Sequence, residues 1–306
     1  MITILELANH FGLITYVSSP TSIQRKIIND DIDRCGVELM GNFTYHNKDR
    51  LILIGNKEWS IIKDLDEENG YKIFHKLFDK GCPGMIICQG LPCSPFIKKI
   101  AEEMDFPVFG TSMRTTDLMS DIIIYLSDKL AKTTKIHACL LDIFNVGVLL
   151  IGPSGIGKSE ISMDLVKKGH LLVADDMVKI SLIRNHLIGR APESISGMME
   201  VRGIGIIDVS HIFGINSFKS ADRINLAIEL KPFTKNLKVD RIGMMTDYID
   251  ILGVRIPKII LPVSAARNIP EIIEVAVTNY KLKESGYDSA YEFEKRLKEI
   301  QESKKR

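Results

Sequence analysis

The sequence predicts an α/β protein in two parts, a small α/β domain over residues 1–132 and a phosphate-loop domain over residues 133–306. Two observations carry this. Short apolar runs alternate with stretches of helical periodicity through both halves, the pattern of strands covered by helices. In the second half the apolar run Val146-Gly147-Val148-Leu149-Leu150-Ile151 passes directly into Gly152-Pro153-Ser154-Gly155-Ile156-Gly157-Lys158-Ser159, a full G-x-x-x-x-G-K-S sequence, and helical spacing follows it.

In chain order, 51–55 (Leu-Ile-Leu-Ile-Gly) and 84–88 (Gly-Met-Ile-Ile-Cys) are expected as buried strands, and 72–78 between them carries apolar residues at helical spacing. Helical periodicity over 116–130 runs into Ala131-Lys132-Thr133-Thr134, which reads as the junction, with a new strand set starting near His137. The phosphate loop opens a helix over 158–168 that Gly169 stops. Strands follow at 171–174, 204–209 and 224–230. Two helical patterns close the chain, 270–283 and 289–304, separated by Ser285-Gly286-Tyr287. No internal repeat or low-complexity segment is visible.

At 306 residues the chain is long enough for two domains, each with its own core. Forty Lys and Arg against 39 Asp and Glu leave a net charge of +1, so there is no global basic field to hold nucleic acid or an anionic membrane. The basic end Lys304-Lys305-Arg306 reads as a solvated helix tail. The first Lys or Arg is Arg25, which argues against a secretory signal, and the longest apolar stretch, 139–151, contains Asp142 and Asn145 and is too short to span a bilayer. A cytoplasmic protein without nucleic-acid or membrane partners is expected. The five cysteines, Cys35, Cys82, Cys88, Cys93 and Cys139, lack paired CxxC or histidines at zinc spacing and are expected as reduced thiols that mostly pack.

The phosphate loop is the strongest chemical signal. Its glycines let the backbone curl so that successive N–H groups face phosphate oxygens, and the following helix turns its positive end to the same charge. Lys158 would reach the β- and γ-phosphates and Ser159 a bound Mg²⁺. Asp175-Asp176 sits at the end of an apolar strand, where a parallel strand hands side chains to a ligand crevice. One carboxylate would hold metal or water and the other take a proton from an attacking hydroxyl; a turn-forming pair is the alternative. Glu200 could complete the Mg²⁺ shell and Arg202 hold a phosphate by a bidentate fork, or the two could be an ordinary ion pair beside a strand. His137 alone reads more readily as a packed or surface residue than as a catalyst. Asp240-Arg241 and Arg267-Asn268 lie in polar breaks where either phosphate contacts or surface charge would fit.

Taken together these segments resemble the HPr kinase/phosphorylase family, bacterial enzymes that phosphorylate a serine of the phosphocarrier HPr and can remove that phosphate again. The resemblance covers nearly the whole chain. It rests on Asp33-Arg34-Cys35-Gly36-Val37-Glu38-Leu39, Ile136-His137, the loop from Gly152 through Glu160, Val173-Ala174-Asp175-Asp176, Glu200-Val201-Arg202-Gly203-Ile204-Gly205, Asp240-Arg241-Ile242-Gly243 and Arg267-Asn268. By motif, the resemblance implies His137, Lys158, Asp176 and Arg241 as active-site residues, Ser159 and Glu200 as Mg²⁺ ligands, and Gly152 through Ser159 as the nucleotide loop. It further implies a MurF-like first domain and a second domain resembling phosphoenolpyruvate carboxykinase. ATP, phosphate, pyrophosphate and HPr would be its reactants, carbon catabolite regulation its setting and a homohexamer its assembly.

Two departures stand out. Cys35 replaces the family's usual proline. The usual Pro-Val-Arg-Pro-Gly-Arg-Asn loop, tied to dephosphorylation, here reads Pro262-Val263-Ser264-Ala265-Ala266-Arg267-Asn268. A guanidinium suited to bidentate phosphate contact and a glycine able to adopt positive φ are both missing, so phosphorylase activity is less firmly expected than kinase activity. A small-molecule kinase on the same scaffold and a non-catalytic ATP sensor are the alternative readings.

Overall fold

The computed structural model describes residues 1–234, 247–264 and 267–303. By contact the chain divides into two compact units, Met1–Ala131 and Lys132–Arg306.

The first unit opens with β1 (Ile2–Thr3) and α1 (Ile4–Phe11). The Thr3 hydroxyl accepts from the Glu6 N–H at 3.2 Å while the Glu6 carboxylate accepts from the Thr3 N–H at 2.8 Å, so two otherwise unpaired donors at the helix start are satisfied reciprocally. There follow β2 (Ile14–Val17), β3 (Lys26–Ile27), β4 (Ile32–Asp33), β5 (Leu51–Ile54), α2 (Asn56–Ile62), α3 (Glu67–Asp79), β6 (Met85–Ile87), α4 (Pro95–Glu103), β7 (Val108–Gly110) and α5 (Thr115–Lys129). β1 pairs with β3. The main sheet has the order β2-β7-β6-β5-β4, parallel from β4 to β7 with β2 antiparallel at its edge. β5 is apolar throughout because both its faces are covered. Ile52 and Ile54 join the core of Phe74, Leu77 and Phe106, while Leu51 and Leu53 join Leu7, Leu118 and Ile122.

The second unit runs β8 (Lys132–His137), β9 (Cys139–Ile143), β10 (Val146–Ile151), α6 (Lys158–Lys167), β11 (Leu171–Ala174), β12 (Met177–Ile183), β13 (His186–Arg190), β14 (Met198–Val201), β15 (Gly205–Asp208), α7 (Val209–Phe213), β16 (Asp222–Pro232), β17 (Asp247–Ile251), β18 (Val254–Val263), α8 (Ile269–Glu284) and α9 (Ser289–Ser303). Its sheet has the order β11-β9-β10-β16-β13-β12-β8, with β18 also on β16 and β17 on β18. β10 is parallel to β16, and β16 to β18, while β9 lies antiparallel between β10 and β11. β10, β11, β16 and β18 therefore run the same way, and their carboxyl ends share one edge of the sheet. Alternate residues of β10 feed two cores: Val148 and Leu150 meet Ile161 and Leu165 of α6 and Ile273 and Val277 of α8, and Leu149 meets Ala174, Val178 and Ala227.

Several sequence expectations change here. The division between units falls within Ala131-Lys132-Thr133-Thr134, but the strand set expected near His137 starts earlier, because β8 begins at Lys132 and pairs along β12. The segment expected as a strand over 204–209 is β15, half of a separate ribbon with β14 whose Ile204 and Ile206 are exposed. β12, β13, β17 and β18 were not anticipated; Pro257 and Pro262 disguise β18, since proline donates nothing to a ladder. Asp240, Arg241, Ala265 and Ala266 lie outside the described residues, as do Lys304, Lys305 and Arg306.

Candidate active site

The turn from β10 into α6 carries Gly155 at φ +82° and Gly157 at φ +97°, left-handed conformations that side chains other than glycine adopt with strain. Gly157 at the N-cap has no side chain to cap α6, which leaves the N–H groups of its first turn for a ligand. Lys158 is buried, and its Nζ donates to the carbonyls of Gly152 and Pro153 at 3.1 and 3.3 Å, holding the ammonium along the loop. Ile156 packs against the core cluster that includes Val148 and Leu150, which anchors the loop from below.

The two neighbouring aspartates have opposite surroundings. Asp176 sits at φ +62°, a reversal between β11 and β12 that aspartate tolerates better than most residues. Asp175 is only 3% exposed. Its Oδ1 accepts from Ser159 Oγ at 3.0 Å and from the Cys139 thiol at 2.8 Å, and its Oδ2 accepts from the Glu200 N–H at 3.3 Å. Burial, and after it the charge of Asp175, pushes the Cys139 thiol well up, so it stays protonated and remains a donor. Asp176 is exposed and lies 3.0 Å from His137 Nδ1. The antiparallel register of β8 and β12 sets His137 opposite Met177, and the Ala138 N–H donates to the Asp176 carbonyl at 3.2 Å, which fixes the pair.

The loop, the Asp176–His137 pair and two residues around β14 line one cleft of about 250 Å³. The loop supplies Ser154, Gly155, Gly157, Lys158 and Ser159, the first turn of α6 supplies Glu160, and other elements supply His137, Asp176, Glu200 and Arg202. A Cβ placed on Gly155 would lie 3.7 Å from Arg202 Nη2, so the guanidinium stands beside the loop. Of the residues singled out in the sequence, His137, Lys158, Ser159, Asp176 and Glu200 come together here. Gly152 and Pro153 take part through their carbonyls, and Arg241 is outside the described residues. Sequence reasoning missed Cys139 as a donor to Asp175. Its only trace was a cysteine opening the strand before the phosphate loop, and the contact depends on β9 lying beside β11.

A curled N–H cradle with its lysine, hard oxygen donors beside it and an exposed carboxylate–imidazole pair facing it define a phosphate-loop protein of the phosphoryl-transfer class. The model of the HPr Serine kinase N terminus matches residues 2–126, and that of the HPr Serine kinase C-terminal domain matches residues 128–297. The chain is 41% identical over 293 residues to HPr kinase/phosphorylase 1 of Oceanobacillus iheyensis, covering 95% of this chain and 94% of that one. It is 40% identical over 302 residues to the HPr kinase/phosphorylase of Halalkalibacterium halodurans, covering 98% and 96%. Among solved structures, the Hpr(Ser) kinase/phosphatase from Coxiella burnetii is 39% identical with a TM-score of 0.48, covering 52% of this chain and 98% of that one. The chain belongs to the HPr kinase/phosphorylase family and is an enzyme.

Proposed function

We propose that this enzyme transfers the γ-phosphoryl group of ATP, or a phosphoryl group of pyrophosphate, to a serine of HPr. In reverse it uses inorganic phosphate to release the serine and form pyrophosphate, in the service of carbon catabolite regulation. The observation that carries the reading is the Asp176–His137 pair, 3.0 Å apart, in the same cleft as the phosphate loop.

In the forward direction the N–H groups of the loop and the Lys158 ammonium bind the β- and γ-phosphates. Asp176 accepts the serine proton as the serine oxygen attacks phosphorus, and the bond to the leaving ADP oxygen breaks. His137 holds the Asp176 carboxylate in place through its Nδ1. Arg241 or Arg202 stabilises the equatorial phosphate oxygens. In reverse a phosphate oxygen attacks phosphoserine, and protonated Asp176 gives its proton to the departing serine oxygen. The donor set suits Mg²⁺: Ser159 and Glu200 line the same cleft and offer a hydroxyl and a carboxylate, hard oxygens, while buried Asp175 accepts from the Ser159 hydroxyl and the Glu200 N–H. When bound there, Mg²⁺ would neutralise charge developing on the phosphates. A MurF-like domain over 1–132, a carboxykinase-like domain over 133–306, a homohexamer and a cytoplasmic location belong to the same proposal.

The altered loop at Ser264-Ala265-Ala266 favours a second reading, a kinase with weak phosphorolysis, because the missing guanidinium would have served free phosphate or phosphoserine while ATP has its own cradle. Restoring Ser264→Arg with Ala266→Gly should raise pyrophosphate release from phospho-HPr relative to the forward rate. An unchanged ratio with brisk wild-type phosphorolysis would remove this reading. The primary test is transfer of label from γ-labelled ATP to purified HPr. Labelled HPr supports the proposal, whereas nucleotide binding without transfer would indicate a sensor, and transfer only to a small molecule would indicate a different kinase.

A further inference from the structure

A second group of potential ligands lies in the first unit, far along the chain from the phosphate loop. Asp33 ends β4, Glu38 opens a short 3₁₀ turn (Glu38–Met40), and His46 follows in the loop before β5. One ligand atom from each lies within 4.8 Å of the others. The Glu38 and His46 side chains are only 8% and 3% exposed.

The His46 ring is half satisfied. Its Nε2 is 3.4 Å from the Gly81 carbonyl, while among the described residues the buried Nδ1 has no hydrogen-bond partner. A ring that donates from Nε2 to a carbonyl keeps its lone pair on Nδ1, the tautomer a metal requires. Nδ1 stands 3.7 Å from Glu38 Oε1, too long for a hydrogen bond. Two ligands on one tetrahedral zinc sit roughly 3.3 Å apart, so a small inward movement would bring this pair to bonding separation.

Charge points the same way. Arg34, the guanidinium next to Asp33 in sequence, is taken by Glu58 at 2.6 Å, and among the described residues neither Asp33 nor Glu38 has a lysine or arginine within ion-pair distance. A buried carboxylate without a counter-charge is costly.

We propose that Asp33, Glu38 and His46 Nδ1 hold a divalent transition-metal ion, Zn²⁺ by preference, clamping the end of β4 to the loop that leads into β5. One imidazole and two carboxylates suit zinc better than Mg²⁺ or Ca²⁺, which favour all-oxygen shells.

The test uses the full-length chain, stripped with a chelator and held in excess Mg²⁺ to occupy oxygen-only sites. It is titrated with Zn²⁺ by calorimetry, with bound metal counted by mass spectrometry. One zinc per chain is expected. That zinc should be lost in His46→Gln and in Glu38→Gln and retained in Glu200→Gln, and it should raise the melting temperature of the wild type and of Glu200→Gln but not of the two first-unit variants. Zinc retained by folded His46→Gln, or lost in Glu200→Gln, would overturn the proposal. Should both first-unit variants fail to fold, Co²⁺ added to the wild type decides the matter. Visible ligand-field bands displaced by Zn²⁺ but not by Mg²⁺ support the site, and their absence refutes it.

Discussion

Asp175 and Asp176 are adjacent and chemically identical, yet the reversal at Asp176 sends one carboxylate under the phosphate loop and the other into the cleft. Asp175 accepts from Ser159, Cys139 and the Glu200 N–H, so it ties α6, β9 and β14 together. Asp175→Asn puts an amide where the site offers only donors. Leaving buried groups unsatisfied costs about 1–3 kcal/mol, and chemical denaturation should show a loss of that order. An exposed Asp176→Asn should leave the same transition nearly unmoved. Equal stability losses for the two variants would contradict this division. That the pair ends an apolar strand near the phosphate loop could be read from the sequence, and both its turn and its place at the cleft are present. Which of them is buried could not, because it follows from one backbone dihedral.

At the scale of elements, the strands and helices that announced themselves were those covered on both faces or capped by glycine, such as β5, β6, β10 and α6. β8 and β12 were hidden because they are half exposed and mix polar residues into their runs, and their pairing is what brings His137 to Asp176. That contact joins residues of separate strands, so spacing within either segment could not reveal it. Sheet geometry also makes a prediction at Gly147, where β10 shifts register against β16 and an added Cβ would run into the Arg223 carbonyl. Gly147→Ala should force the two strands apart and destabilise the second unit by about 1–3 kcal/mol, the usual cost of overpacking. Denaturant titration followed by a probe in that unit checks it, and an unchanged midpoint would mean that the strands accommodate the methyl.

For the whole molecule, two units with separate cores carry different liabilities. In the first, burial pushes the Glu58 carboxyl up, but hydrogen bonds from the Arg34 guanidinium and the Gly55 N–H outweigh it and hold the group below its ordinary 4.5. A carboxyl lowered on folding adds stability that is fully present above the unfolded value and is lost as pH falls through the lower folded one. Acid should therefore weaken the first unit below about pH 4.5, and Glu58→Gln should flatten that dependence while lowering stability near neutrality. A Gln variant with the wild-type acid profile would show that Glu58 is not responsible. The proposed reaction belongs to the second unit, where one carboxylate would serve it in both directions. The most direct measurement compares wild type with Asp176→Asn for phosphorylation of HPr by ATP and for pyrophosphate release from phospho-HPr and phosphate, with ATP binding followed in parallel. Both rates should fall together, by about 10²- to 10⁴-fold, with ATP still bound. Loss of one direction while the other keeps its wild-type rate would contradict the account, as would a mild Asp176→Asn beside an Asp175→Asn that folds normally and is inactive.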